Sequence, residues 1–273
     1  MSDIVLTAGV RSNLLQLQKT ADLITATQTK LATGKRVNTA LDNPINYFTA
    51  QGLSNRASDL GNLLDSMASG MNTIQAANNG ITAITKLVQS AQALTSQAQQ
   101  TTDTTVRSGL AAQFDAILGQ IDQLAADSGF NGINLLDSTN SADLTLTLNE
   151  SGTSTVIVSA VDFTTNGLAI NNSANNWATT ANITAASSDL SAALTTLRSQ
   201  SQSFGSNLST VQIRQDFTKA MINTLQTGAD NLTLADSNEE GANLLALQTR
   251  QQLSTTALSL ASQAGQAVLR LFQ

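Results

Sequence analysis

Neither cysteine nor histidine occurs anywhere in the 273 residues. The first absence excludes disulfides and thiolate metal sites. The second removes the commonest general base and the commonest metal ligand together, so an enzyme here would have to work with paired carboxylates. Glu239-Glu240 is better explained as the first turn of a helix, where the macrodipole favours negative charge. No catalytic, cofactor-binding or metal-ligating residues are expected, and no cofactor. Aromatic residues are 3% of the chain, with one Trp, one Tyr and one Pro, and charged residues are 12%. A net charge of −6, with no cation between Arg107 and Arg198, argues against a nucleic-acid partner, because phosphate binding needs clustered Lys and Arg. Lys35-Arg36 is the one adjacent basic pair and reads as charges near a helix C-terminus. No run approaches the roughly 18 apolar residues of a membrane span. Met1-Ser2-Asp3-Ile4 opens without a basic n-region, so neither membrane insertion nor a cleavable signal peptide is expected.

What is abundant is Ala, Thr, Ser, Asn, Gln and Leu, in heptads. Val10, Leu14, Leu17, Ala21, Ile24 and Leu31 fall at alternating spacings of four and three, with Gln28 in the vacant slot. Leu53, Ala57, Leu60, Leu64, Met67, Met71, Ile74, Asn78 and Ile81 repeat the pattern. Seams of this kind keep one narrow helix face on a partner. Between them, Gly34 can supply a left-handed helix end and Pro44 suits the first turn of a new helix. Asn43 is a good N-cap and Asp42 adds charge at the positive helix end. One helix therefore ends near Thr33 and another begins near Pro44.

The second helix is expected to reach about Thr101, with Gly52, Gly61, Gly70 and Gly80 inside it as either a cost or an aid to close packing. A polar break at Thr101 to Thr105 precedes a helix striped by Val106, Leu110, Phe114, Ile117, Ile121 and Leu124, ending near Ser128-Gly129. From about Asp137 to Asn182 the texture turns β-like. Leu144, Leu146 and Leu148 alternate with Thr, Thr155 to Ser159 is β-rich, and Ser151-Gly152-Thr153 reads as the hairpin connection. This insertion is expected as an exposed decoration, or as a cap on the end of the helical hairpin. Heptads return with Leu190, Leu194, Leu197, Ser201, Phe204, Leu208 and Val211, then less regularly Phe217, Met221 and Leu225. A second joint is expected at Gly228 to Asn238, with Asp236 or Ser237 capping a last helix whose seam is Leu253, Ala257, Leu260, Ala264, Ala267 and Leu271.

The fold class is therefore mainly α: a long antiparallel coiled-coil bundle with paired terminal helices and a small β-rich insertion. Its expected parts are terminal helices at 1–33 and 239–273, joints at 34–43 and 228–238, an inner bundle at 44–136 and 187–227, and the insertion at 137–186. The terminal helices would still expose apolar surface when paired, which points to order gained on self-assembly.

The string Leu31, Thr33-Gly34-Lys35-Arg36-Val37-Asn38, Ala40, Asp42-Asn43-Pro44, Ala50 and Leu53 closely resembles the joint of bacterial flagellins. Phe130-Asn131-Gly132 resembles the string that closes a helix in that family. Asp236, Glu239, Leu244-Leu245, Gln248, Ala261 to Ala264 and Val268-Leu269-Arg270-Leu271-Phe272 resemble its C-terminal helix. Two departures are Gly265, where many members have Asn, and Asn43 in place of a second Asp. The resemblance implies a filament subunit of the bacterial flagellum, extracellular, exported without signal cleavage and polymerising with copies of itself. By the same likeness an export chaperone, the filament cap and hook-associated proteins are partners. It places assembly on Leu14, Leu17, Ile24, Leu31, Gly34, Lys35, Arg36, Asn38, Asp42, Pro44, Leu53, Asp236, Leu244, Leu245, Leu260, Ala264, Leu269, Leu271 and Phe272.

Many flagellins are recognised by a vertebrate innate receptor through Arg and Glu on the first long helix, and Leu87 to Leu94 here has neither. Hydroxyls between Thr139 and Ser188 either solvate a surface or carry O-linked sugars, as in some members. The rival readings are a hook-filament junction protein and, from another class, a coiled-coil signalling rod. The two joints argue against an uninterrupted rod.

Overall fold

A computed structural model describes residues 8–271. In chain order they form α1 (Ala8–Thr33), α2 (Pro44–Gln99), α3 (Thr104–Asp127), β1 (Leu144–Thr147), β2 (Thr155–Val158), a 3-10 turn (Ala174–Trp177), α4 (Thr180–Thr233) and α5 (Ser237–Leu271). The chain divides into a terminal unit, made of residues up to Asn55 and from Thr224 onward, and a central unit, Arg56–Asn223.

The helix ends follow from local chemistry. Gly34 takes φ +67 and ends α1. Asn43 Oδ1 accepts the Asn46 N–H at 3.0 Å, capping α2 with Pro44 at its first position. Asp103 caps α3 by accepting from the Thr105 N–H. Asp236 accepts from the Asn238 and Glu239 N–H groups at 2.8 and 3.3 Å and so caps α5. The far end of α3 is closed by a residue that periodicity does not mark. Asn134 Nδ2 donates to the Ala125 and Ala126 carbonyls in the last turn of α3.

Several expected boundaries and faces shift. Gly228 does not break a helix: α4 runs through it to Thr233, and only Leu234 to Asp236 separate α4 from α5. A Cβ at Gly228 would stand 3.3 Å from Leu53 Cδ1, so this glycine serves close packing. At its other end α4 begins at Thr180, taking residues 180–186 from the insertion. On α3 the buried stripe is Arg107, Ala111, Phe114, Leu118, Ile121 and Ala125, one position round from Val106, Leu110, Ile117 and Leu124. Phe217 of α4 is exposed, and Thr218 is buried in its place.

In the central unit, Met67, Ile74, Ile81, Ile84 and Val88 of α2 pack in one core with Phe114, Leu118 and Ile121 of α3 and with Leu190, Leu197 and Phe204 of α4. The insertion packs into this core. β1 and β2 pair antiparallel, with Leu144 opposite Val158 and Thr145 opposite Ile157. Leu144, Leu146 and Val158 turn inward, and Thr145 and Ile157 face water, as a half-buried ribbon requires. Phe163, Leu168, Ile170 and Trp177 join them inside. Two carboxylates on one face of α3 hold the returning chain. Asp122 accepts from the Thr165 N–H at 2.7 Å, and Asp115 from the Ser173 N–H at 2.8 Å.

Candidate functional site

In the terminal unit α1 packs along α5. Lys30, in the last turn of α1, pairs at 2.9 Å with Glu240, in the first turn of α5, so the two helices run antiparallel. The less exposed side of α1 carries Asn13, Leu17, Thr20, Ile24, Thr27 and Leu31. That of α5 carries Leu244, Leu247, Gln251, Ser254, Leu258 and Ala261. Both stripes keep the four-and-three heptad spacing, and both admit small polar residues where a strong coiled coil would place Leu or Ile. Within the chain, this seam and ion pair join the two terminal helices.

The expected seam of α5 lies on another face. Leu253 and Leu260 are 67% and 69% exposed, Ala257 and Ala264 are exposed, and Leu245 is 66% exposed. On α1, Leu15 and Leu23 also stand more than half in water, and Gln28 is exposed beside the buried Thr27. The helix pair therefore turns a polar-interrupted stripe inward and its leucine-rich stripe outward.

The joint is built from backbone. The Arg36 N–H donates to the Thr233 carbonyl at 2.8 Å, the Ala235 N–H donates to Gly34 O at 2.9 Å, and Lys35 bridges antiparallel to Leu234. Arg36 Nη2 donates to the Asn231 carbonyl at 3.1 Å, so the side chain meets the last turn of α4. The Asp42 carboxylate accepts from the N–H groups of Asn38 and Thr39 at 2.9 and 2.8 Å and folds residues 38–42 around itself. These backbone bonds, led by Thr39 and then Asn38, lower its pKa below the usual carboxylate value. Val37 is buried under the joint, whereas Leu41, Ile45 and Phe48 project into water.

Of the sequence-derived assembly residues, Gly34, Lys35, Arg36, Asn38, Asp42, Pro44 and Leu53 lie in one unit with Asp236. Ile24 is buried, Leu17, Leu31 and Leu244 are half-buried, and Leu14, Leu245, Leu260 and Ala264 are exposed. Leu269 and Leu271 lie in α5, though their side chains fall outside the description, and Phe272 lies outside the described residues. Sequence reasoning quoted Val37 in the joint string without giving it a role, and missed Thr233, Leu15 and Leu23. No described helix is long and apolar enough to cross a membrane.

Residues 7–141 match the bacterial flagellin N-terminal helical region, and residues 187–272 match the bacterial flagellin C-terminal helical region. Flagellin FljM of Caulobacter vibrioides is 29% identical over 274 residues, covering 100% of this chain and 99% of its own. Flagellin FljN of the same organism is 30% identical with the same coverage. Flagellin A of Rhizobium meliloti is 41% identical over 86 residues, covering 32% of this chain and 22% of its own. The chain belongs to the bacterial flagellin family and is a structural subunit that polymerises into the flagellar filament.

Proposed function

We propose that the subunit polymerises through the outward leucine stripes of its terminal unit, so that residues 1–33 and 239–273 form the filament core. The observation that carries this reading is the exposure of Leu15, Leu23, Leu245, Leu253 and Leu260 on an already paired helix hairpin. Each leucine taken out of water contributes roughly 1.5 to 3 kcal/mol. Contacts between unlike faces of successive copies generate an open filament. In this reading the joint residues Gly34, Lys35, Arg36, Asn38, Asp42 and Pro44 set the entry of α2, and Leu41, Ile45 and Phe48 add a second apolar contact between copies. The subunit acts as a structural element and not as an enzyme.

By the same family likeness the subunit is exported without a cleaved signal. Its expected partners are an export chaperone, the filament cap and hook-associated proteins. With neither Arg nor Glu between Leu87 and Leu94 on α2, it is a poor agonist of the vertebrate innate receptor; strong activation of receptor-reporter cells by purified filaments would overturn that expectation.

The test of the assembly reading is electron microscopy of filaments depolymerised by heat and then seeded, beside a truncation lacking residues 237–273. The full chain is expected to rebuild filaments and the truncation to remain monomeric. Filaments from the truncation would refute the reading.

A further inference from the structure

The terminal unit holds seven cations and seven carboxylates, so the whole net charge of −6 sits on the central unit with its six cations and twelve carboxylates. Copies of so acidic a unit repel one another when packed into a filament, unless opposite charges are brought into register. Three of its six cations are committed. Arg56 pairs with Glu150, Lys219 with Asp216, and Arg107 is buried with its guanidinium on the Ala98 and Thr101 carbonyls. Lys86, Arg198 and Arg214 remain without a salt bridge among the described residues.

Two of those three meet in one place. A groove of about 280 Å³ between α2 and α4 is lined by Lys86 and Arg198 together with Thr82, Thr85, Gln89 and Ser201. Its lining contains no carboxylate. Both cations are exposed, so each keeps its donors for an outside acceptor: three on the ammonium, five in the planar guanidinium fork. The groove is a positive notch on an acidic unit, with Ile81 and Leu197 also in its lining.

We propose that this groove receives a carboxylate of a second copy of the chain within the filament. The acceptors on the acidic side are exposed carboxylates of the same unit, and Asp59, Asp65 and Asp127 make no salt bridge among the described residues. The contact adds register to the adhesion supplied by the terminal unit. It rests on the assembly reading given above, which alone supplies neighbouring copies.

The test is zero-length cross-linking with a water-soluble carbodiimide, applied to assembled filaments and to monomer and read by tandem mass spectrometry. The expected result is an amide between Lys86 and an Asp or Glu of another copy, present in filaments and absent in monomer. Mixing isotopically labelled with unlabelled chains identifies the link as intermolecular. Lys86→Glu with Arg198→Glu should raise the critical concentration for assembly at least tenfold while the monomer's helical circular dichroism is unchanged. Replacing the cross-linked acid by Lys in that background should restore assembly. Lys86 that is as reactive to acetylation in filaments as in monomer and forms no cross-link would overturn the proposal, as would native mass spectra showing the groove already holding a small anion in monomer. If the assembly reading itself fails, wild-type protein forms no filaments, a distinct outcome.

Discussion

Gly80 of α2 lies so close beneath Ser128 that a Cβ there would fall 2.2 Å from the serine Oγ and 2.7 Å from its Cβ. Ser128 has little room to yield, since its hydroxyl donates to the Leu124 carbonyl at the end of α3. Gly70 is similarly roofed by Leu146 of β1, whereas Gly52 and Gly61 face open space. Gly80→Ala is therefore expected to destabilise the central unit by about 1 to 3 kcal/mol through overpacking, despite its gain in helix propensity. Gly61→Ala should stabilise by up to about 1 kcal/mol. Thermal unfolding of the monomer, followed by emission of the single buried Trp177, checks both signs.

Arg107 is buried, and its Nε donates to the Thr101 carbonyl at 2.7 Å and to Ala98 O at 3.2 Å, while Nη2 reaches Thr180 Oγ1 at 3.2 Å. One guanidinium thus ties the end of α2 to the start of α4. Arg107→Met keeps the apolar stem and leaves those carbonyls unpaired, at a cost of about 1 to 3 kcal/mol. Arg107→Lys should recover only part of it, because an ammonium lacks the planar fork. Denaturant midpoints measured at constant slope give the comparison.

Acid should loosen the insertion and the joint before the helical core. The pKa of Glu150 is lowered by its hydrogen bond from Arg56, that of Asp137 by Asn140 and Thr139, and that of Asp42 by the Thr39 and Asn38 backbone. A carboxyl group whose folded-state pKa is depressed contributes stability above its unfolded value and loses it as pH falls through the folded value. Stability should therefore be flat above about pH 5 and decline below about pH 4. Glu150→Gln should flatten part of that decline. A decline already under way at pH 6 would contradict these assignments.

The joint was legible because its chemistry is local. Gly34, Asn43 and Pro44 each do there what their backbone and side chain permit in any context, and they set the ends of α1 and α2. The faces of the terminal helices were not legible. Periodicity finds an apolar stripe but cannot say which partner it meets, and here Thr20, Thr27, Gln251 and Ser254 line the internal seam while Leu253 and Leu260 turn outward. Phe163, Leu168, Ile170 and Trp177 escaped because they reach the core from irregular chain that has no period to detect. Asn175, Asn176 and Trp177 even take positive φ, a conformation few sequence rules assign to a tryptophan.

The most direct measurement is seeded polymerisation of the double variant Leu253→Gln with Leu260→Gln, read by light scattering and electron microscopy beside a second variant, Leu247→Gln. Leu253 and Leu260 face water, so their replacement should leave the monomer's melting temperature within about 2 °C of wild type, as surface substitutions do. Assembly should nevertheless be lost. Leu247, on the side of α5 that carries the internal seam, should instead lower the stability of the terminal pair. Normal filaments from the double variant at wild-type critical concentration would show that the outward leucines do not hold the filament together.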